Sequence, residues 1–162
     1  MHKGLVVGVT GHRSLEPYTG RQVHNATRGH LLALRPSRVI LGLAVGFDTV
    51  VAISCVELQI PFVAAVPFDE QARFWQPNQQ RAYKALLDKA ERVWKPTGVT
   101  GNACYFVRNQ YIVDNSDLVL GYVRAGETKG GSAYTWDYAA KKNKSRVNVA
   151  EGLVVGSKGN IL

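Results

Sequence analysis

The sequence predicts a single Rossmann-like α/β domain with a mainly parallel sheet flanked by helices, and three observations carry that reading. Short apolar runs rich in Val, Ile and Leu alternate along the chain with segments of helical pattern. The runs are continuous rather than alternating, as expected of strands covered on both faces. Three of them break into glycine before a helical pattern, at Thr10-Gly11-His12-Arg13, at Gly42-Leu43-Ala44-Val45-Gly46-Phe47-Asp48 and at Lys129-Gly130-Gly131-Ser132-Ala133.

The first strand, 4–10, rests on Leu5-Val6-Val7-Gly8-Val9, and a helical pattern over 19–35 follows. Arg38-Val39-Ile40-Leu41 gives a strand over 38–42. The helix after it, 47–59, takes Ala52, Ile53, Val56 and Leu58 as its apolar positions. A strand over 62–67 leads into a stretch that is polar and aromatic together, 68–77. The helix over 77–91 has Pro77 suited to its first turn and a stripe of Ala82, Ala85, Leu86 and Ala90. Strand 92–95, helix 102–115, strand 117–123, helix 132–143 and strand 146–150 complete the series. Five strand–helix–strand repeats predict parallel strands joined by right-handed crossovers. The domain is expected over 1–150, with 151–162 as a tail or short hairpin. Gly156-Ser157-Lys158-Gly159 in that tail lacks the strand–helix context of a phosphate loop.

Composition narrows the class. A chain of 162 residues fits one domain that buries roughly 70% of its unfolded surface. No apolar run approaches the ~20 residues of a membrane span, so no membrane partner is expected. Met1-His2-Lys3-Gly4 leads directly into a strand-like run without a cleavage site, which predicts a cytoplasmic protein. Cys55 and Cys104 are far apart and outside any CxxC pair, so both are expected as buried, reduced thiols. Histidines 2, 12, 24 and 30 make no metal-ligand spacing, and neither a metal nor a cofactor is expected. The formal charge of +8 favours anionic partners, a nucleotide first and nucleic acid second. The densest cations, Lys141, Lys142, Lys144 and Arg146, fall at a predicted helix end, where they suit the dipole.

In an open α/β sheet the loops at the strand carboxyl ends line the ligand crevice. Glycine lets backbone approach an anion without a Cβ in the way, and a helix start adds free N–H groups and a positive dipole end. Three glycine turns at strand ends therefore predict one ligand that carries phosphate.

Taken in order, Val9-Thr10-Gly11-His12-Arg13, Gly42 to Asp48, Ala65-Val66-Pro67-Phe68, Arg108-Asn109, Val113 to Asp117 and Gly130-Gly131-Ser132-Ala133 resemble the SLOG superfamily. These are Rossmann-like proteins related to DprA and to the LOG cytokinin-activating hydrolases, and the branch that this chain resembles is YpsA-like. The resemblance covers about 4–149. It implies a nucleotide or nucleotide-derived ligand, ADP-ribose-type among the possibilities, and a homo-oligomer paired through helices flanking the site. It places Gly11, His12 and Arg13 on the first loop, with the Arg13 fork matched to phosphate. Gly42, Gly46 and Asp48 form the second loop, and Gly130, Gly131 and Ser132 hold phosphate. Arg108 and Asn109 point into the crevice from a helix. Asp48 either binds a ribose hydroxyl or caps the helix that begins there; His12 is either a turn residue or a ligand contact.

One departure bears on activity. The glycosidic-bond hydrolases of the family place a glutamate three residues after the Gly-Thr of their phosphate motif, and the nucleoside deoxyribosyltransferases place a comparable one. That position here is Thr135, which is no carboxylate nucleophile or base. Asp137 lies on a different helix face. A sensor, carrier or sequestering module is therefore expected ahead of an enzyme, with a DprA-like nucleic-acid binder as a third reading. Trp75 either stacks a base, with Gln71 or Arg73 touching it, or anchors the core. Asp69-Glu70 read as helix-start acids. Tyr105 lines the crevice or fills the core, and one of Tyr134 and Trp136 faces inward.

Overall fold

The computed structural model describes residues 4–155. Six strands, β1 (Val6–Gly11), β2 (Arg38–Leu41), β3 (Phe62–Ala65), β4 (Arg92–Trp94), β5 (Leu118–Tyr122) and β6 (Ser145–Asn148), form one sheet in the order β4-β3-β2-β1-β5-β6. Every neighbouring pair is parallel. Five helices connect them: α1 (Gly20–Leu34), α2 (Phe47–Leu58), α3 (Pro77–Lys89), α4 (Ala103–Asp114) and α5 (Gly131–Lys141). The α/β class, the parallel sheet and the order of elements are those the sequence predicts, with ends that differ by one or two residues.

Each strand alternates between two cores. Val7, Val9, Val39, Leu41, Phe62, Ala64, Leu120 and Tyr122 pack with α1, α2 and α3. The residues between them face the other way, Ile40, Val63 and Ala65 onto Ile112 of α4, and Val119 onto Val113 and Ala139. Burial on both faces is why the strands read as continuous apolar runs.

The chain builds outward from β1 through β2 and β3 to β4, then crosses back to lay β5 and β6 on the other side of β1. Connections leave the carboxyl ends of β1 and β5 in opposite directions, and this switch point opens the crevice.

Some local expectations change. Tyr83 and Leu86 are the buried residues of α3, because the helix turns Ala85 outward. On α2, Val51, Ala52 and Cys55 are fully buried while Ile53 is 39% exposed. Asp69 and Glu70 sit on a surface turn well before α3 and pair with Lys95 and Arg73. Trp136 faces inward against Gly121, and Tyr134 is exposed. Cys55 and Cys104 are buried free thiols. In the tail, Val149–Gly152 is a 3-10 turn whose Val149 and Ala150 join the main core. A hairpin there would need residues 156–162, which lie outside the described residues. No helix among the described residues is long and apolar enough to cross a membrane.

Candidate functional site

A crevice of about 280 Å³ opens at the carboxyl ends of β1 and β2, between α4 and the start of α5. The three glycine turns and the loop after β3 all reach it. Gly11, Arg13, Asp48, Trp75, Arg108, Asn109, Gly131 and Ser132 line it, together with Thr10, Ala44, Gln71 and Tyr105. Five residues singled out in the sequence do not: His12, Gly42, Gly46, Arg73 and Gly130.

The floor is a hydrogen-bond network. Arg108 is 6% exposed. Its Nη1 donates to the carbonyls of Gly42 (3.1 Å) and Ala65 (3.2 Å) and to Gln71 Oε1 (3.2 Å). Its Nε donates to Asn109 Oδ1 at 2.8 Å. Gln71 Nε2 donates to the same Gly42 carbonyl at 3.0 Å. Arg108 thus ties together, through Nε and Nη1, the ends of β2 and β3 and the loop that carries Trp75. Asp48 accepts from the amides of Gly42 (3.1 Å) and Ala44 (3.3 Å). It therefore folds the second glycine turn onto itself through Oδ2, and the N-cap of α2 is Gly46 rather than Asp48. Burial pushes the Asp48 carboxyl up to about 6, against the pull of the Arg108 charge and the two amides.

The glycines of the second turn serve packing. A Cβ on Gly42 would stand 2.5 Å from Arg108 Nη1. Gly46 has φ +95°, and a Cβ there would meet the Arg13 carbonyl oxygen at 2.3 Å. His12 turns away from the crevice. Its amide donates to the Tyr122 carbonyl at 3.2 Å, and its Nε2 accepts from the Arg124 amide at 3.3 Å. Burial, and then the Arg124 charge, lowers its pKa, so it is held as a neutral acceptor.

The rim is open. Arg13 is exposed, with its guanidinium 6.0 Å from the centre of the Trp75 ring and no hydrogen bond or ion pair to any described residue. Trp75 lines the crevice and packs edge-on against Tyr83 at 5.3 Å, as a core anchor would. Tyr105 lines the wall and is 38% exposed. The start of α5 has no side-chain cap, and nothing lies within 4 Å of a Cβ built on Gly130 or Gly131. Thr135, where the resemblance would place a glutamate, is 1% exposed and donates to the Gly131 carbonyl at 2.8 Å. Asp137 is exposed on the outer face of α5. Asp48 is the one carboxylate lining the crevice among the described residues.

The sequence gives Gln71 only as a contact for a stacked base, and its role in the floor escapes sequence reading. Its partners are 29 and 37 residues away, and no local pattern marks them.

No known family and no curated protein matches this chain by sequence. Solved structures do. DprA of Streptococcus pneumoniae is similar over 88% of this chain at 18% identity and a TM-score of 0.65. A structure describing the single-stranded DNA binding mode of DprA from Helicobacter pylori is similar over 88% at 18% identity and a TM-score of 0.64. The Moco carrier protein of Chlamydomonas reinhardtii is similar over 91% at 15% identity and a TM-score of 0.58. This chain spans 49%, 64% and 77% of those three proteins. The likeness shows a shared fold, the Rossmann-like α/β fold that the sequence predicts.

Proposed function

We propose that the protein binds a small molecule carrying a phosphate and a flat ring, of nucleotide or nucleotide-derived type, as a sensor, carrier or sequestering module. One observation carries the reading: the uncommitted polar groups of the rim are donors. Arg13 is unpaired, Asn109 keeps its Nδ2 donors after its Oδ1 accepts from Arg108, Ser132 offers a hydroxyl, and the first amides of α5 are uncapped. Phosphate oxygens complement such a set. Trp75 and Tyr105 offer ring surface beside it. The fold shared with a Moco carrier protein supports a carrier role. The buried Thr135, where the resemblance would place a glutamate, supports binding over hydrolysis. Pairing of two copies through α4 and α5 suits the exposed Phe106 and Tyr134 on those helices. The setting proposed is cytoplasmic, which suits two free cysteines.

Thermal unfolding in the presence of nucleoside monophosphates, cyclic nucleotides and ADP-ribose tests the reading. A ligand at 100 times its dissociation constant adds about 2.7 kcal/mol. The shift is expected to vanish in Arg13→Ala and in Gly131→Val. A flat response across the panel overturns the proposal.

A second reading rests on the loop beside the crevice. Phe74 is 88% exposed, with the Arg73 guanidinium 5.2 Å from its ring centre, on a chain of formal charge +8. An exposed ring paired with a cation suits a single nucleic-acid strand. Affinity for oligo-dT that falls steeply with salt and drops in Phe74→Ala would favour this reading.

A further inference from the structure

We propose that the floor of the crevice selects a nucleobase-type ring whose edge carries a hydrogen-bond donor beside an acceptor, through Asp48 Oδ1, Arg108 Nη2 and the Thr10 hydroxyl. This selection rests on the phosphate-and-ring ligand proposed above: it sets which end of that ligand meets the floor and what that end must present.

Asp48, Arg108 and Thr10 all line the crevice, and all are between 6% and 8% exposed. The hydrogen bonds of the floor leave one polar atom of each over. Arg108 donates through Nε and Nη1, and its Nη2 donates to no described residue. Asp48 accepts both of its amides through Oδ2, and its Oδ1 accepts from no described residue. Thr10 Oγ1 likewise has no hydrogen bond to a described residue. None of the three atoms is sealed in the interior. Among the described residues the sealed side-chain polar atoms without a partner are Thr27 Oγ1, Tyr83 Oη and Arg124 Nε. The three floor atoms therefore keep open surface, and the space their side chains border is the crevice. Polar groups held this deep call for partners, and these come from whatever enters the crevice. Asp48 and Arg108 are neighbours, because they hold the amide and the carbonyl of the same residue, Gly42.

The set is one donor, one acceptor and one hydroxyl that serves as either. A second phosphate or a carboxylate offers acceptors alone and sets an anion against Asp48 Oδ1. An ammonium offers donors alone and sets a cation against Arg108. A neutral edge with a donor and an acceptor on neighbouring atoms answers both. The surroundings select a ring over a sugar. Val9, Ala44 and Ile112 also line the crevice, as does the Tyr105 ring, whose centre lies 5.8 Å from the Arg108 guanidinium carbon. A sugar carries hydroxyls around its whole rim, and against such walls most of them would lose their partners. A heteroaromatic ring keeps its polar atoms on its edge and buries two apolar faces. Asp48 and Arg108 are already fixed by hydrogen bonds, so a rigid edge pairs with them at little further cost in order.

The test is calorimetric titration at pH 8, above the value of about 6 for the Asp48 carboxyl. The ligands are AMP, IMP, purine riboside 5′-monophosphate and 2′,3′-dideoxy-AMP. AMP and IMP carry a donor beside an acceptor on the ring edge; purine riboside 5′-monophosphate has the same phosphate, sugar and ring system without that donor. AMP or IMP is expected to bind about 10-fold or more tightly than purine riboside 5′-monophosphate. In Asp48→Asn the side-chain oxygen takes the Gly42 and Ala44 amides and an N–H turns to the crevice, so the preference should shrink to within about 3-fold. Thr10→Val keeps the shape of the strand residue. It should weaken the preferred nucleotide by about 3-fold or more with an unchanged melting temperature. Equal binding of AMP, IMP and purine riboside 5′-monophosphate overturns the proposal and leaves the phosphate-and-ring reading standing, as does a preference unchanged in Asp48→Asn. Affinity lost in 2′,3′-dideoxy-AMP without any preference among bases gives the floor to the sugar and also overturns the proposal. Binding of none of the four overturns both.

Discussion

At the floor of the crevice Arg108 gives four hydrogen bonds to protein acceptors; at the rim Arg13 gives none to any described residue and lies over the Trp75 ring. The glycines differ in the same way. Gly42 and Gly46 have neighbours closer than a Cβ tolerates, whereas Gly130 and Gly131 border open space. The same residue types hold the protein together on one side of the cavity and are left without protein partners among the described residues on the other. Residue type and loop position alone therefore do not assign a role. The assignment depends on whether the polar atoms already have partners.

The sharpest way to break this comparison is to truncate the two arginines. Arg108→Ala leaves Asp48 buried without its cation and removes the donor to the Ala65 carbonyl and to Gln71 Oε1. It should cost about 3–5 kcal/mol of stability by urea unfolding. Arg13→Ala should stay within about 0.5 kcal/mol while removing the nucleotide-dependent thermal shift. Similar stability losses in both variants would erase the distinction between floor and rim.

Asp48 gives a smaller effect with a definite sign. Its carboxyl is raised from an ordinary 3.8 to about 6, so between those values the folded protein holds a proton that the unfolded chain has lost. Its contribution to stability is complete below the lower value and is lost as pH rises through the upper one, a swing of order 2–3 kcal/mol. His12, held below its usual value, has the opposite dependence, its contribution being lost as pH falls. It is common to wild type and to Asp48→Asn, so it cancels in their difference. The stability of wild type minus that of Asp48→Asn should therefore fall from pH 4 to pH 7 by chemical denaturation. A difference that stays constant over that range would show that the floor does not hold the carboxyl as described.

The smallest effects come from the glycines. Gly46→Ala places a Cβ against the Arg13 carbonyl at φ +95° and should lose more than about 1 kcal/mol. Gly131→Ala, in open space at the first residue of α5, should gain about 0.4–1 kcal/mol by stiffening the unfolded chain. A loss at Gly131 as large as at Gly46 would place it with the floor.

Much of the architecture was legible in the sequence. Val39, Ile40 and Leu41 make a buried central strand readable because both faces are apolar, and the glycine turns mark where each such strand stops. Pro77 marks the start of α3. The inner face of α3 was harder. Ala85 and Tyr83 are both compatible with an apolar stripe, and only the neighbouring sheet decides that Tyr83 is the one turned in. Asp69 and Glu70 were misplaced for a related reason: acids ahead of a proline suggest a helix start, but a longer turn intervenes and pairs them with Lys95 and Arg73.

The sequence by itself determined the α/β class, the six strands and five helices, and the convergence of the loops at 10–13, 42–48 and 129–133. Those follow from local periodicity and from where glycine interrupts it, properties carried within a few residues. The tertiary structure decided which of the chemically apt residues are spent. Arg108 meets Gln71, Ala65 and Gly42 across 37, 43 and 66 residues of chain, and His12 meets the Arg124 amide across 112. No local pattern encodes such contacts. They arise when the sheet order brings β1, β2, β3 and β5 side by side, and a buried guanidinium or imidazole then takes whatever partners lie within reach.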